Sequence, residues 1–264
     1  MEGAPGSAGA GIIPRSMDLI FERLARMGEQ GWAARLTVEM LEIHNETLRD
    51  LLPTARGASG SSSAAAAAVP ALELRDRSGS PYVEGLSSHP VASAGDVRAL
   101  LARASAARAT ATTAMNARSS RSHCVFTLRI AATHGATKQS RSGLLHLVDL
   151  AGSERIDKSG VNDEARGGSG KLLRETQAIN SSLAALGDCV AALQARAPHV
   201  PYRNSKLTHL LSEALGAKDA RTLVLCTLNP LHTNASESLS TLRFAERLAS
   251  VVKADGPAGG KAAK

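Results

Sequence analysis

The chain has 264 residues, of which 43% are hydrophobic and 21% charged, and a formal net charge of +7. This length and balance are typical of a globular protein with a sizeable core. No apolar run approaches the ~20 residues of a membrane span, and the start of the chain lacks the pattern of a signal peptide. We therefore expect a soluble, intracellular protein with no membrane partner. The positive charge favours an acidic partner or a phosphate ligand.

The three cysteines, Cys124, Cys189 and Cys226, lie far apart, each within an apolar run. Their spacing matches no metal-ligand pattern. We predict three reduced, buried thiols.

The first predicted element is a helix that follows the Gly-, Ala- and Pro-rich residues 1–11. Pro14 stands before apolar residues at helical spacing, and the helix is expected to end at Gly28. The segment 35–52 alternates apolar and polar residues, which predicts one long strand.

Residues 54–71 are a low-complexity stretch rich in Ser and Ala. We interpret it as a flexible surface insertion, and a linker between two domains is the alternative. Short strands are predicted at 72–76 and 81–86. A helix over 93–109 and a polar loop over 110–122 follow.

Two strands at 123–132 and 143–150 come next, and His146 is most simply a core or sheet-face histidine. A long helix over 171–196 carries one continuous apolar stripe. A helix is predicted over 205–216, with Ser205 as its N-cap and Gly216 as its end. A buried strand is predicted over 221–230 and a closing helix over 234–252. Strands that alternate with helices predict an α/β layered fold.

Two acids and a glycine follow the second of these strands, in the stretch LVDLAGSE at 147–154. In open α/β sheets, ligands bind beyond the carboxyl ends of the strands. There Asp149 could hold the water shell of Mg²⁺, the N–H of Gly152 could reach a terminal phosphate, and Glu154 could orient water or pair with a cation. An ordinary turn explains this stretch, taken alone, about as well.

A second polar stretch, NARSSRSH at 116–123, leads into the preceding strand. Its hydroxyl, amide and guanidinium groups supply Mg²⁺ ligands, phosphate donors and a fixed positive charge. Arg121 is the natural counter-ion of Glu154, because both would lie at the same edge of neighbouring strands. A solvated Ser/Arg loop is the alternative for one stretch, but two such stretches at adjacent strand ends favour a shared site.

These stretches resemble switch I and switch II of the kinesin motor domain. The resemblance continues through ETQAINSSLAALGDCVAAL, HVPYRNSKLTHLLSEALG, TLVLCTLNP and SLSTLRFAERL, and it covers most of residues 11–252 in the family's order. ETQAIN and HVPYRNSKLT are most similar to the kinesin-14 group. The resemblance implies a kinesin-type P-loop NTPase fold, with a mixed central sheet flanked by helices. It assigns 1–252 to a partial motor domain with an insertion at 54–71, and 253–264 to a disordered tail.

The resemblance also implies ATP and Mg²⁺ as cofactors and a role for each switch residue. Ser120 would ligate Mg²⁺, and Asp149 would hold it through water. Arg121 and Glu154 would form the salt bridge that closes the site, and Ser122 would line the side of the γ-phosphate and the lytic water. The nucleotide-binding residues would be Asn116, Ser119, Ser120, Asp149 and Gly152.

A microtubule-binding surface is implied at the PYRNSKLTH junction of loop and helix. Arg203, Lys206 and His209 would face acidic tubulin there, and a generic basic surface is the alternative. The long helix from Lys171 would transmit the closure of the nucleotide site to the microtubule-binding surface. The expected location is the cytoplasm and its microtubule cytoskeleton. The sequence leaves open a homodimer through regions outside this chain, the direction of movement and the cargo.

The glycine-rich phosphate loop of the family, G-x-x-x-x-G-K-[ST], does not occur in the 264 residues. The nearest string, ARGGSGKLL, has Ala165 and Leu172 where the motif needs Gly and Ser or Thr, and we interpret it as an insertion before the long helix. In the family, GIIPR, here at 11–15, comes shortly after the phosphate loop. We therefore expect the chain to lack that loop and the first strands of the sheet, to expose unpaired strand edges and to be catalytically incompetent alone.

Other functions stay open at this point. A non-catalytic microtubule-binding module would keep the tubulin surface without the nucleotide chemistry. A nucleic-acid binder is suggested by charge alone, but aromatic residues that could stack on bases make up only 2% of the chain, and we expect no nucleic-acid partner. A GTPase would need a guanine-reading motif similar to NKxD, and the sequence has none.

Overall fold

The structure, a computed structural model, describes residues 1–3, 9–54, 72–110, 121–152 and 169–252. The chain divides into two compact units. The first comprises Met1–Glu73 and Val83–Ala151, and the second comprises Leu74–Tyr82 and Gly152–Lys264. Three predicted segments lie outside the described residues almost entirely, namely the insertion at 54–71, the loop at 110–122 and the tail at 253–264.

A five-stranded sheet is the centre of the first unit. The strands among the described residues are β1 (Trp32–His44), β2 (Thr47–Asp50), β3 (Glu73–Arg77), β4 (Ser80–Glu84), β5 (His89–Val91), β6 (His123–His134) and β7 (Ser140–Asp149). In the five-stranded sheet, β6 pairs along one edge of β1, β2 and β5 share the other edge, and β7 pairs with β6. All of these ladders are antiparallel, whereas the resemblance implies a mixed sheet. β3 and β4 pair separately.

The prediction of one long strand over 35–52 is wrong, because β1 and β2 form a hairpin there. Asn45 and Glu46 make its two-residue turn, with φ angles of 50° and 54°. Turns with two positive φ angles match the right-handed twist of the flanking strands. Asn adopts this conformation readily but Glu does not, and the apolar pattern resumes at Leu48, so the sequence gives only a weak turn signal.

The core of the first unit lies between the sheet and two helices, α1 (Ile12–Glu29) and α2 (Ala94–Thr110), both of which were predicted. Alternate residues of β1 and β6 face these helices, because successive side chains of a strand point to opposite sides of the sheet. Met40 and Phe126, which are opposite each other in the ladder, are each 1% exposed. The first unit therefore has an apolar core that holds the strand ends in place.

The second unit is mainly helical. In the part of this unit that the structure describes, the helices are α3 (Ser169–Gln194), α4 (Lys206–Leu210), α5 (Ser212–Gly216) and α6 (Ala235–Val252), with 3₁₀ helices at Tyr202–Asn204 and His232–Asn234. The predicted long helix and closing helix are confirmed. α3 buries Ile179, Leu186 and Val190, which belong to its predicted apolar stripe.

Ser205 caps α4, as predicted. Its hydroxyl accepts hydrogen bonds from the N–H groups of Leu207 at 3.1 Å and Thr208 at 3.3 Å. The single helix predicted over 205–216 is divided at Leu211, whose φ of −90° and ψ of 4° depart from helical values. α5 ends at Gly216, as predicted.

Residues 221–230 form no strand, so the prediction of a strand covered on both faces is wrong. Leu223, Leu225 and Leu228 are 83%, 62% and 46% exposed. A strand needs a neighbour that pairs with its backbone N–H and C=O groups, and no strand in the described ranges pairs with this segment. The apolar composition of residues 221–230 indicates a segment suited to burial, but it does not show whether a neighbouring strand is present to pair with it.

The cysteines differ in exposure. Cys124 and Cys189 are buried, as predicted, whereas Cys226 is exposed because its segment 221–230 packs in no sheet. Burial raises the pKa of the Cys124 thiol to about 11, and it also raises the pKa of Cys189. In the part of the chain that the structure describes, no helix has the length and apolar character needed to cross a membrane.

Candidate functional site

The two predicted switch stretches meet the sheet at adjacent strand ends. β6 begins at His123, the last residue of NARSSRSH, and β7 ends at Asp149, within LVDLAGSE. Cys124 and Asp149 are directly paired in the β6–β7 ladder. The end of the first stretch therefore lies beside the start of the second, which is the arrangement that a shared site requires.

The described part of the first stretch comprises Arg121, Ser122 and His123. Ser122 is 1% exposed, and its hydroxyl donates a hydrogen bond to the Glu42 carboxylate at 2.7 Å. Arg121 is partly buried. The predicted site residues Asn116, Ser119, Ser120 and Glu154 lie outside the described residues. Mg²⁺ ligation by Ser120 and the salt bridge between Arg121 and Glu154 therefore stay predictions.

Glu42 is the acceptor of the Ser122 hydroxyl, and no role was predicted for it from the sequence. It is 2% exposed, and its carboxylate also contacts Arg49 at 3.5 Å and Arg108 at 3.9 Å. A buried carboxylate needs such partners, because its removal from water is costly. The signal in the sequence is an acid on the face of β1 that otherwise carries the buried apolar residues Leu36, Val38 and Met40.

His123 connects the two stretches directly. Its Nδ1 accepts a hydrogen bond from the backbone N–H of Ala151 at 3.0 Å. Burial lowers the pKa of His123 to about 4, although the negative charge of Asp149 acts to raise it. The imidazole is therefore neutral near pH 7, and Nδ1 is available as an acceptor.

Asp149 is exposed at the end of β7 and lines a cavity of about 250 Å³. Arg108 and Glu2 also line this cavity. A carboxylate oxygen is a ligand that Mg²⁺ prefers, and the guanidinium suits a phosphate. Among the residues that the structure describes, no three His, Cys, Asp or Glu side chains form a metal-binding group. A Mg²⁺ site does not require such a group, because this ion usually binds only one or two protein side chains and completes its coordination shell with water and substrate phosphates.

The second unit holds the residues predicted to contact microtubules. Arg203 is in the 3₁₀ helix at Tyr202–Asn204, and its guanidinium donates to the Asp76 carboxylate at 2.7 Å. Nε2 of His209, in α4, lies 2.8 Å from the other Asp76 oxygen. Hydrogen bonds from His209 and then Arg203 hold the pKa of the Asp76 carboxyl below its usual range. Lys206 begins α4 and is partly buried.

These three basic residues are therefore close together, but they are not equally exposed. The Arg203 side chain is 80% exposed and that of His209 is 17% exposed. No local pattern in the sequence indicates Asp76 as a shared partner of Arg203 and His209, because Asp76 is 127 residues from Arg203 in the chain.

Comparison with protein families matches residues 1–251 to the kinesin motor domain. Kinesin-like protein KIN-14C of Arabidopsis thaliana is 45% identical over 241 residues, which is 90% of this chain and 29% of that protein. Kinesin-like protein KIFC1 of Rattus norvegicus is 44% identical over 254 residues, which is 94% of this chain and 35% of that protein. The chain spans roughly a third of the length of these relatives.

Solved motor domains have the same fold. The motor domain of the Kar3-like kinesin from Ashbya gossypii superposes with a TM-score of 0.72 at 34% identity, and that of the kinesin-related protein Kar3 from Saccharomyces cerevisiae with 0.73 at 35%. Each match covers 92% of this chain and 68% of the solved chain. The predicted α/β fold class is confirmed. The chain belongs to the kinesin motor domain family, covers that domain only in part, and has kinesin-14 proteins as its relatives.

Proposed function

We propose that the chain is part of a microtubule motor of the kinesin-14 type, in which ATP hydrolysis is coupled to movement along microtubules. The observation that carries this proposal is the pairing of Cys124 with Asp149. The end of one predicted switch stretch lies beside the start of the other, which supports a single nucleotide site contacted by both.

On the nucleotide side, Asp149 would hold Mg²⁺ through water and Ser120 would ligate it directly, with Asn116, Ser119 and the amide of Gly152 contacting the phosphates. Bound Mg²⁺ would neutralise phosphate charge during hydrolysis. Arg121 and Glu154 would close the site. The Ser122 hydroxyl is bonded to Glu42, which supports a part for Ser122 in fixing the end of the first stretch.

On the microtubule side, Arg203, Lys206 and His209 would contact acidic tubulin. Clustered cations of this kind steer association with a negatively charged surface, and the effect weakens as salt screens them. The exposed guanidinium of Arg203 supports the proposal most directly. The positive net charge of the chain agrees with it.

We further propose that these 264 residues alone do not hydrolyse ATP, because they contain no G-x-x-x-x-G-K-[ST] loop. The amides and Lys of that loop cradle the phosphates in P-loop enzymes. The same observation favours a second candidate function, a microtubule-binding module without nucleotide chemistry. The two differ in whether nucleotide changes binding to microtubules.

The test is co-sedimentation of the purified chain with microtubules, without nucleotide and with Mg·ATP, together with an ATPase assay. We expect binding that weakens with salt and no microtubule-stimulated turnover. Arg203→Gln with Lys206→Gln is expected to weaken binding about tenfold in total, on the order of 0.7 kcal/mol for each lost cation. The control, Arg23→Gln with Lys138→Gln, removes the same charge from exposed positions of the first unit.

Equal weakening by both pairs would show that binding follows net charge and would count against the proposed surface. Binding that is identical with and without Mg·ATP would favour the non-catalytic module. Measurable microtubule-stimulated ATPase would refute the proposed incompetence of the isolated chain.

A further inference from the structure

The start of β6 is anchored in two directions by consecutive residues. Ser122 donates its hydroxyl to Glu42 of β1 at 2.7 Å, whereas His123 accepts the N–H of Ala151 at 3.0 Å. All four residues are buried, with exposed fractions of 1% to 4%. The end of the first switch stretch is therefore fixed to β1 on one side and to the segment after β7 on the other.

The hydrogen bond from Ala151 takes the place of a bond in the sheet. The β6–β7 register ends with the pair Cys124 and Asp149, so the N–H of Ala151 lies beyond the last paired position. A buried backbone N–H needs an acceptor, because leaving it unpaired costs its full desolvation. The imidazole of His123 supplies that acceptor, which requires Nδ1 without a proton and the proton on Nε2.

We propose that His123 is a positioning residue, which transmits the position of the first switch stretch to the second through its hydrogen bond to Ala151. Ala151 lies two residues after Asp149 and directly before Gly152. Its backbone therefore sets where the proposed Mg²⁺ and phosphate contacts begin. The consequence for the reaction rests on the proposed function, but the hydrogen bond is tested without nucleotide.

The first experiment is NMR of the 264-residue chain. The ¹⁵N shifts of the His123 ring are expected to show an unprotonated Nδ1 and a protonated Nε2. His123→Leu keeps an apolar side chain but removes the acceptor, and it is expected to speed amide exchange at Ala151 at least about tenfold. His123→Asn is expected to restore slow exchange, because its Oδ1 is the same number of bonds from the backbone as Nδ1.

A matched control is His146→Asn, which changes a partly buried histidine of the same sheet that bonds to Thr127 instead. It is expected to leave exchange at Ala151 unchanged. A wild-type ring that carries its proton on Nδ1 would overturn the inference, and this measurement needs no variant to fold. Equal exchange at Ala151 in the wild type and His123→Leu would overturn it as well.

The second experiment tests transmission. Ser122→Ala releases the start of β6 from Glu42, and it is expected to shift the amide resonances of Ala151 and Gly152 in the wild-type background. In the His123→Leu background the same change is expected to leave both resonances unmoved, because the connection is gone. A histidine with only a structural role would give the same response in both backgrounds. If the wild-type chain did not bind microtubules, the proposed function would be refuted, but the NMR results on His123 and Ala151 would still hold.

Discussion

Asp76 and His209 are joined by a contact of 2.8 Å between Oδ1 and Nε2. The other oxygen of Asp76 accepts a hydrogen bond from Arg203 at 2.7 Å. A single carboxylate within the chain thus binds two of the side chains proposed to face tubulin. If these side chains contact acidic tubulin as proposed, Asp76 would compete with tubulin for the same two donors.

The first prediction is that Asp76→Asn strengthens binding to microtubules. The change removes the competing charge and frees Arg203, and exposed ion pairs of this kind are weak, so we expect affinity to rise by no more than about fivefold at low salt. The measurement is co-sedimentation across a series of salt concentrations. Asp219→Asn removes an equal charge from another exposed position of the second unit and serves as the control. Unchanged or weaker binding by Asp76→Asn would argue against competition at this surface.

The second prediction concerns the pKa of Asp76 itself. Hydrogen bonds from His209 and then Arg203 hold this pKa below its usual range. Because the folded pKa is depressed, the interaction stabilises the fold at pH values above the unfolded pKa, and this contribution is lost as the pH falls through the folded pKa. NMR titration of the Asp76 carboxyl is expected to show the low pKa in the wild type and a higher one in His209→Asn and in Arg203→Gln. An Asp76 pKa that neither substitution moves would rule out these two partners as its cause.

Local patterns predicted the helices well. The apolar stripe of α3 and the apolar spacing of α1 each extend over several turns, and one face of such a helix must be buried. The turn at Asn45–Glu46 was missed because it depends on two φ angles in the left-handed region, not on hydrophobicity. Residues 221–230 were mispredicted because a strand forms only when another strand pairs with it.

In the candidate site as well, local features were predicted and contacts between distant residues were not. The positions of the two polar stretches predicted that they would lie at the ends of adjacent strands, and the pairing of Cys124 with Asp149 confirms this. The roles of Glu42 and Asp76 were not predicted, because their partners come from distant parts of the sequence. Ser122 is 80 residues from Glu42, and His209 is 133 residues from Asp76.

The third prediction is that acid destabilises the first unit partly through His146. Burial, and then the charge of Arg129, lowers the pKa of His146 from 6.5 to about 4. Between these values the unfolded chain binds a proton that the folded chain does not, so stability falls as the pH drops from 6.5 towards 4. We expect His146 to account for about 2 kcal/mol of the loss in unfolding free energy between pH 7 and pH 4.5.

Denaturant unfolding of the wild type and His146→Asn at the two pH values measures this contribution. His123 also has a lowered pKa and remains in both proteins, so the difference between their pH slopes isolates His146. Identical slopes would show that His146 does not contribute.

The fourth prediction is that one thiol reacts much faster than the other two. Cys226 is exposed, whereas Cys124 is buried and has its pKa raised to about 11. The thiolate is the reactive form, so we expect Cys226 to react with a disulfide reagent at least about 100-fold faster than Cys124 under native conditions. Cys226→Ser is expected to remove the fast phase, and Cys189→Ser is expected to preserve it. A fast phase that survives Cys226→Ser would contradict the exposure described for this segment.

The fifth prediction is that the isolated chain associates through residues 221–230. Leu223 and Leu225 are 83% and 62% exposed in a segment with no strand partner among the described residues. An apolar, unpaired segment of this kind can pair with another copy through both its backbone and its side chains. Leu223→Ser with Leu225→Ser is expected to weaken self-association at least about tenfold, since it removes two large apolar side chains from the contact.

Size-exclusion chromatography with light scattering over a concentration series measures the association. The control, Leu19→Ser with Leu242→Ser, changes two leucines that are 50% and 49% exposed but lie in α1 and α6. Helical residues already use their backbone groups within the helix, so the control is expected to alter association much less. If both pairs reduce association equally, exposed apolar area alone explains it. In that case the unpaired backbone of 221–230 has no special part in the contact between copies.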